Sequence, residues 1–414
     1  MSKAVRHYLE HRRIRGPWRL EGSPREGVRA LVVIPALAEE GSLFESLEGL
    51  ARNPASRLDD CLVMVVVNQR ASAPRELKED NRRTLDRLRQ EACGLHLAWV
   101  DACSEALELP EGEGVGLARR IGMDLGLARL DFSRDPFLVC LDADTWVDTA
   151  YLPALFAHFD GHRQGGAVIP FAHRAGSDPA LDHAILRYEL FLRHYVLGLE
   201  LAGSPWAFHC LGSALACRLE AYCAVGGMVR REAGEDFYFL QKLAKSCGMA
   251  QVKGTCVAPS PRASNRTPFG TGASLGRLLS GEAQAVRFYP AQSFGILERW
   301  LRLCAEGQQA GADELMEEAR RITSPLARYL REAKFEAAWE NLRRNHPDSR
   351  RRREAFHGWF DGFRTLKLIH RLCDEELGRC GPEQAMPPLL RRAGIEEGAD
   401  PQDWLQALRA VQNS

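Results

Sequence analysis

Neither sign of charge is in excess: 55 Lys and Arg face 55 Asp and Glu in 414 residues. Nucleic-acid binding draws on a basic surplus, so global electrostatics gives it no support. Long apolar runs are missing too. CLVMVVV, from Cys61 to Val67, falls far short of the roughly 20 residues that cross a bilayer, and no membrane span is expected. The first residues, MSKAVRHYLEHRRIR, carry charge without an apolar core and do not read as a secretory signal. The 12 cysteines include no C-x-x-C pair, and Cys61, Cys140, Cys210 and Cys217 sit in apolar stretches. That is the pattern of reduced core thiols and predicts a cytoplasmic protein. The chain also lacks a G-x-x-x-x-G-K-[ST] loop, a dinucleotide fingerprint after a strand, a G-x-S-x-G elbow and an H-E-x-x-H pair. Those absences remove P-loop ATPases, the commonest serine hydrolases and zinc peptidases.

What is present is ordinary globular composition, 45% apolar and 27% charged, long enough for two or three domains at roughly 150 residues each. From Ala30 to Ala258, short apolar runs alternate with amphipathic ones: ALVVIPA, CLVMVVVN, LHLAWVD and FLVCLDAD as strands, with helices between them. That pattern predicts an α/β fold with a mainly parallel, nucleotide-binding sheet flanked by helices. PSPRASNRTPFGTGAS (259–274) interrupts it, and beyond 276 only helix-length periods remain. The expected organisation is an N-terminal extension (1–29), an α/β domain (30–275) and a helical C-terminal appendage (276–414).

Two acidic motifs carry chemistry. In LDADT, Asp142 and Asp144 end a buried strand, where ligands of open α/β sheets collect. Hard oxygen donors there suit Mg²⁺ or Mn²⁺, although an acid at a strand end is also a common turn former or helix cap. In GEDFYFLQKL, Glu235 and Asp236 follow a glycine turn and open a helix. A helix dipole favours acids there whatever the function, and such an aspartate can also serve as general base. Just upstream, SPWAFHCLGSALACR offers Trp206, His209 and Gly212 for an acceptor, packing being the alternative for the first two. Arg262 and Arg266, in a loop with Gly270 and Gly272, suit a diphosphate, or are ordinary surface arginines. RRNHPDSRRRRE (343–354) reads as a charged linker, or as a peripheral contact with an anionic acceptor or acidic lipid.

Taken in order, VIPALAEE, ARRIGMDLG, LDADT, GSALACR, YCAVGGM and GEDFYFLQKL resemble the family-2 glycosyltransferases of the A-type nucleotide-diphospho-sugar fold, over about 30–258. The resemblance implies that Pro35 and Glu39 lie in the first nucleotide-binding loop, that Arg119 belongs to the helix beneath the diphosphate, and that Asp144 with Asp142 serves the metal (Mn²⁺ or Mg²⁺) and sugar. Asp236 would be the base of an inverting transfer, with Glu235 its neighbour. Departures exist: Asn68, Gln69 and Arg70 stand where the family has an aspartate-rich turn at the donor's base, Ala38 and Arg120 stand where asparagines are common, and Q-x-x-R-W is missing. The implied activity is metal-dependent transfer of a sugar from a nucleotide-diphosphate donor, a UDP-sugar first, to a hydroxyl acceptor. A non-catalytic nucleotide-sugar binder that kept the fold is the alternative. A sugar nucleotidyltransferase is a weaker one, because its Gly- and Lys/Arg-rich triphosphate loop is absent after VIPA.

Overall fold

A computed structural model of the chain describes residues 1–90, 93–176, 178–264, 270–282 and 285–414. They divide into a sheet unit (1–182, 210–273, 412–414) and a helical unit (183–209, 274–411).

The sheet unit runs α1 (Lys3–His11), β1 (Leu20–Gly22), β2 (Ala30–Ala36), α2 (Glu40–Ala51), α3 (Ala55–Leu58), β3 (Cys61–Asn68), α4 (Arg75–Gln90), β4 (Leu97–Ala102), α5 (Val115–Gly126), β5 (Phe137–Cys140), β6 (Thr145–Trp146), α6 (Tyr151–Gly161) and β7 (Gly166–Val168). After α7 (Pro179–Leu201) come β8 (Leu215–Arg218), α8 (Leu219–Ala224), α9 (Glu235–Cys247), β9 (Met249–Gln251) and β10 (Ala258–Pro259). Among the described residues, eight strands form one sheet in the order β1-β4-β3-β2-β5-β8-β7-β9, while β6 and β10 form a small ribbon. The run β4-β3-β2-β5 is parallel, and β8 pairs antiparallel with both β5 and β7.

Every residue of β2 and β3 is buried, which is why their sequences are continuous apolar runs rather than alternating ones. Helix α5 lies against this pair by leaving out side chains. A Cβ on Gly122 would come within 2.5 Å of the Val33 side chain, and one on Gly126 would overlap Leu31. Strand β5 stops at Cys140, four residues short of Asp144, because the chain turns there: the Thr145 amide donates to the Asp142 carbonyl.

Residues 1–29 are built into this unit. β1 is an edge strand on β4, and α1 packs on α8, with Tyr8 fully buried and its hydroxyl donating to Asp124 at 2.7 Å. The Tyr222 hydroxyl and the Ile14 amide also donate to Asp124, and Arg120 lies 3.5 Å from it.

The helical unit takes its first piece from within α7 and continues through α10 (Thr271–Leu279), α11 (Ala291–Glu306), α12 (Ala312–Ile322), α13 (Ser324–Glu332), α14 (Phe335–Asn345), α15 (Ser349–Trp359), α16 (Gly362–Leu372), α17 (Pro382–Ala393) and α18 (Pro401–Gln412). Where a boundary after 275 was expected, 183–209 also joins the helices. The reason is packing: Gly198 of α7 seats the ring of Phe294, and Glu189 accepts from Arg193 and Arg409. Trp300, Phe335, Trp339, Phe356 and Phe360 form its aromatic core. No described helix is long and apolar enough to cross a membrane. All 12 cysteines are free thiols.

Candidate active site

Four segments meet at the carboxyl end of β5. The first is the turn after it, which carries Asp142 and Asp144. The Ser46 hydroxyl of α2 donates to the Ala143 carbonyl at 2.9 Å and pins this turn. The second is α5, whose Arg119 is buried and reaches Asp142 Oδ1 at 2.5 Å and, with its other terminal nitrogen, Glu235 Oε1. The third is the start of α9, where Gly234 at φ +73° turns the chain so that Glu235 and Asp236 open the helix. The fourth is the stretch after β10: the Ser260 amide donates to the Asp144 carbonyl, and two residues on, Arg262 reaches Asp144 at 3.4 Å and also pairs with Glu39.

Glycines bring the second and third segments together. A Cβ on Gly116 would lie 2.5 Å from the Val229 carbonyl, and one on Gly114 2.9 Å from that of Glu232. The loop leading to Glu235 therefore lies directly on the first turn of α5, which aims Arg119 at the acids. Gly212 acts similarly, since a Cβ there would come within 2.8 Å of the guanidinium carbon of Arg119.

One buried cation faces three acids. Burial pushes the Glu235 carboxyl up to about 7 against the pull of Arg119, and Asp236 and Asp142 push it the same way. Asp236 is likewise raised, first by burial and also by Asp142, while Arg119 and the Phe237 amide oppose. Arg119 is held protonated, because Asp142 and Glu235 together outweigh its desolvation. Cys210 lies near enough for Asp236 to add to the effect of burial on its thiol, which is raised. At the rim, the side chain of Asp142 is 36% exposed and that of Asp144 23%.

The acids at 142, 235 and 236 are thus gathered around Arg119, and Asp144, Glu39 and Arg262 form an adjoining cluster. Arg119 is enclosed by carboxylates, unlike a side chain lying open beneath a diphosphate. Pro35 lies inside β2, paired with Val66. The Asn68 amide donates to the carbonyls of Ala36 and Val66, so that side chain clamps the strand ends. Trp206 is buried in the helical unit and donates to the Phe360 carbonyl, and His209 is half-buried in that unit. Arg266 lies outside the described residues. Sequence reasoning passed over Asn81, which accepts from the Ala38 amide and donates to Gln69, holding the loop before Glu39. No local pattern marks such a residue.

Among the described residues, no three His, Cys, Asp or Glu side chains gather to hold a metal ion. Asp142 and Asp144 are two part-exposed oxygen donors. Each is paired with an arginine, Asp142 with Arg119 and Asp144 with Arg262, and as hard oxygen donors they are of the chemical type that suits Mg²⁺ or Mn²⁺.

No protein-family model matches the chain, and no curated protein does. Solved structures to which it is similar are glycosyltransferases. One is S. aureus TarS 1–349 in complex with UDP-GlcNAc, at 13% identity and TM-score 0.40, covering 82% of this chain and 92% of that one. Another is the mannosyltransferase PcManGT of Pyrobaculum calidifontis with GDP-Man and Mn²⁺, at 16% identity and TM-score 0.38, covering 99% and 94%. A third is glucosyl-3-phosphoglycerate synthase of Mycobacterium tuberculosis with UDP, at 16% identity and TM-score 0.34, covering 63% and 79%. At such identities and scores these likenesses bear no weight on activity.

Proposed function

We propose that the chain is an inverting, metal-dependent glycosyltransferase of the A-type fold, moving a sugar from a nucleotide-diphosphate donor to a hydroxyl acceptor. The observation that carries this reading is the convergence of Asp142 and Glu235, remote in sequence, on Arg119 at the end of a parallel strand, with Asp236 next to Glu235 and felt electrostatically by Arg119, and with Asp144 and Arg262 beside them. In this reading Asp144 and Asp142 hold Mn²⁺ or Mg²⁺, which when bound offsets charge on the departing diphosphate. Arg262, already beside Asp144, adds a second positive charge to that leaving group. Asp236 accepts the acceptor's proton, a task its raised affinity for protons suits. Glu235 and Arg119 hold the charge balance around it. A cytoplasmic setting belongs to the same reading, as the cysteine pattern of the sequence leads one to expect.

The test is nucleotide release from a panel of UDP- and GDP-sugars with Mn²⁺ or Mg²⁺ and hydroxyl acceptors, with the product's anomeric configuration read by NMR. Asp144→Asn and Asp236→Asn should each lower turnover by about 10²- to 10⁴-fold in a chain that still folds, as its circular dichroism and a cooperative melt would show. Full turnover by either folded variant removes the assignment. Donor binding without turnover would make the chain a binder.

A further inference from the structure

Away from the acids, the sheet unit holds a hollow of about 480 Å³ between α1 and α8, lined by Lys3, His7 and Arg12 on one side and Cys223, Ala224 and Gly226 on the other. Its volume falls within the roughly 300–1,000 Å³ of small-molecule sites. The charge around it is one-sided. No ion pair joins Lys3 or Arg12 to a carboxylate among the described residues, and neither does one join Lys242 of α9. Lys242 lies close enough to Arg12 and Arg120 that, after burial, those two cations are what lower its affinity for a proton. Two carboxylates are felt at the Cys223 wall, Asp124 and Glu220. Asp124 is occupied by Tyr8, Tyr222, the Ile14 amide and Arg120. The described lining itself carries Lys3 and Arg12 and no carboxylate, two positive charges before His7 is counted.

The surplus is also held in place. The carbonyl of Arg12 accepts from Arg120 at 2.8 Å, and its side chain approaches Gly226, which at φ +86° a larger residue would fill only under strain. Ser2 caps α1, and Lys3, Ala4 and His7 of that helix line the hollow together with its C-cap Arg12. An arginine fork and a lysine ammonium lining a small cavity are the chemistry that binds a phosphate group, and a phosphomonoester near its dianionic form matches the two charges.

We propose that the hollow between α1 and α8 is a binding site for a phosphomonoester, carried by a small soluble metabolite or by a lipid headgroup. It stands whether or not the acid cluster transfers sugar.

Isothermal titration of the full chain with inorganic phosphate and with glycerol 3-phosphate tests the soluble source. Flotation with phosphatidylcholine vesicles, with and without phosphatidic acid, tests the lipid one. The variants are the Lys3→Gln/Arg12→Gln pair and, separately, Ala224→Glu, which puts a carboxylate into the hollow from an exposed position. Binding of either soluble phosphate, weakened about 10-fold or more in both variants, supports a soluble ligand. Flotation only with phosphatidic acid, lost in both variants, supports a lipid phosphate. No binding of any probe, or binding that both variants keep unchanged, overturns the proposal. The second of those results would mean that phosphate binds elsewhere.

Discussion

Among the described residues, Arg119 is the buried cation facing Asp142, Glu235 and Asp236, so its removal leaves those acids crowded together without it. Replacing one partner of a buried ion pair typically costs about 3–5 kcal/mol. Arg119→Met is therefore expected to lower unfolding free energy by that order in urea titrations, and a change under about 1 kcal/mol would mean that the acids find their balance elsewhere. The same crowding predicts a pH effect of definite sign. Glu235 holds its proton up to about 7 in the folded chain but only to its ordinary 4.5 when unfolded. Between those values the unfolded state releases a proton that the folded state keeps. This contribution is fully present below 4.5, is lost as pH rises towards 7, and stays lost above, on the order of 3 kcal/mol in all. Glu235→Gln should flatten stability against pH in that window, and a slope equal to that of the parent chain would refute the assignment. The sequence made the two acidic motifs legible because each is local: LDADT ends an apolar run, and the E-D pair follows a glycine turn. Arg119's partners were not legible, since Glu235 lies 116 residues away.

Helices and strands were read well where periodicity alone decides them. β2 spans Ala30–Ala36 and β3 spans Cys61–Asn68, as their apolar runs require. What periodicity does not carry is which face of a helix must stay bare. Gly198 in α7 and Gly295 in α11 are both interior helical glycines, and helix propensity favours alanine at each by about 1 kcal/mol. A Cβ at Gly198 would come within 2.5 Å of Phe294 ring carbons, whereas at Gly295 it meets nothing within 4 Å. Opposite outcomes are expected: Gly295→Ala should stabilise the chain by about 0.5–1 kcal/mol, while Gly198→Ala should destabilise it by about 1–3 kcal/mol through overpacking. Melting curves of the two variants moving in the same direction would contradict this account.

At the scale of the whole chain, the sequence suggested three successive pieces, but the folded molecule interleaves two. The N-terminal residues were the hardest to place because their contacts are remote: Tyr8 meets Asp124 and Tyr222, 116 and 214 positions later. No window of sequence contains both ends of such a contact. Arg119 and Arg120 show what this arrangement implies. They are neighbours on α5, projecting about 100° apart as successive helical residues do. The first grips the acids, and the second grips the Arg12 carbonyl and stands beside Lys242. A helix is stiff under torsion, so α5 behaves as a shaft with a fitting at each bearing. A rotation of it about its axis would carry the Cα atoms of both arginines round together, so the two contacts share one support.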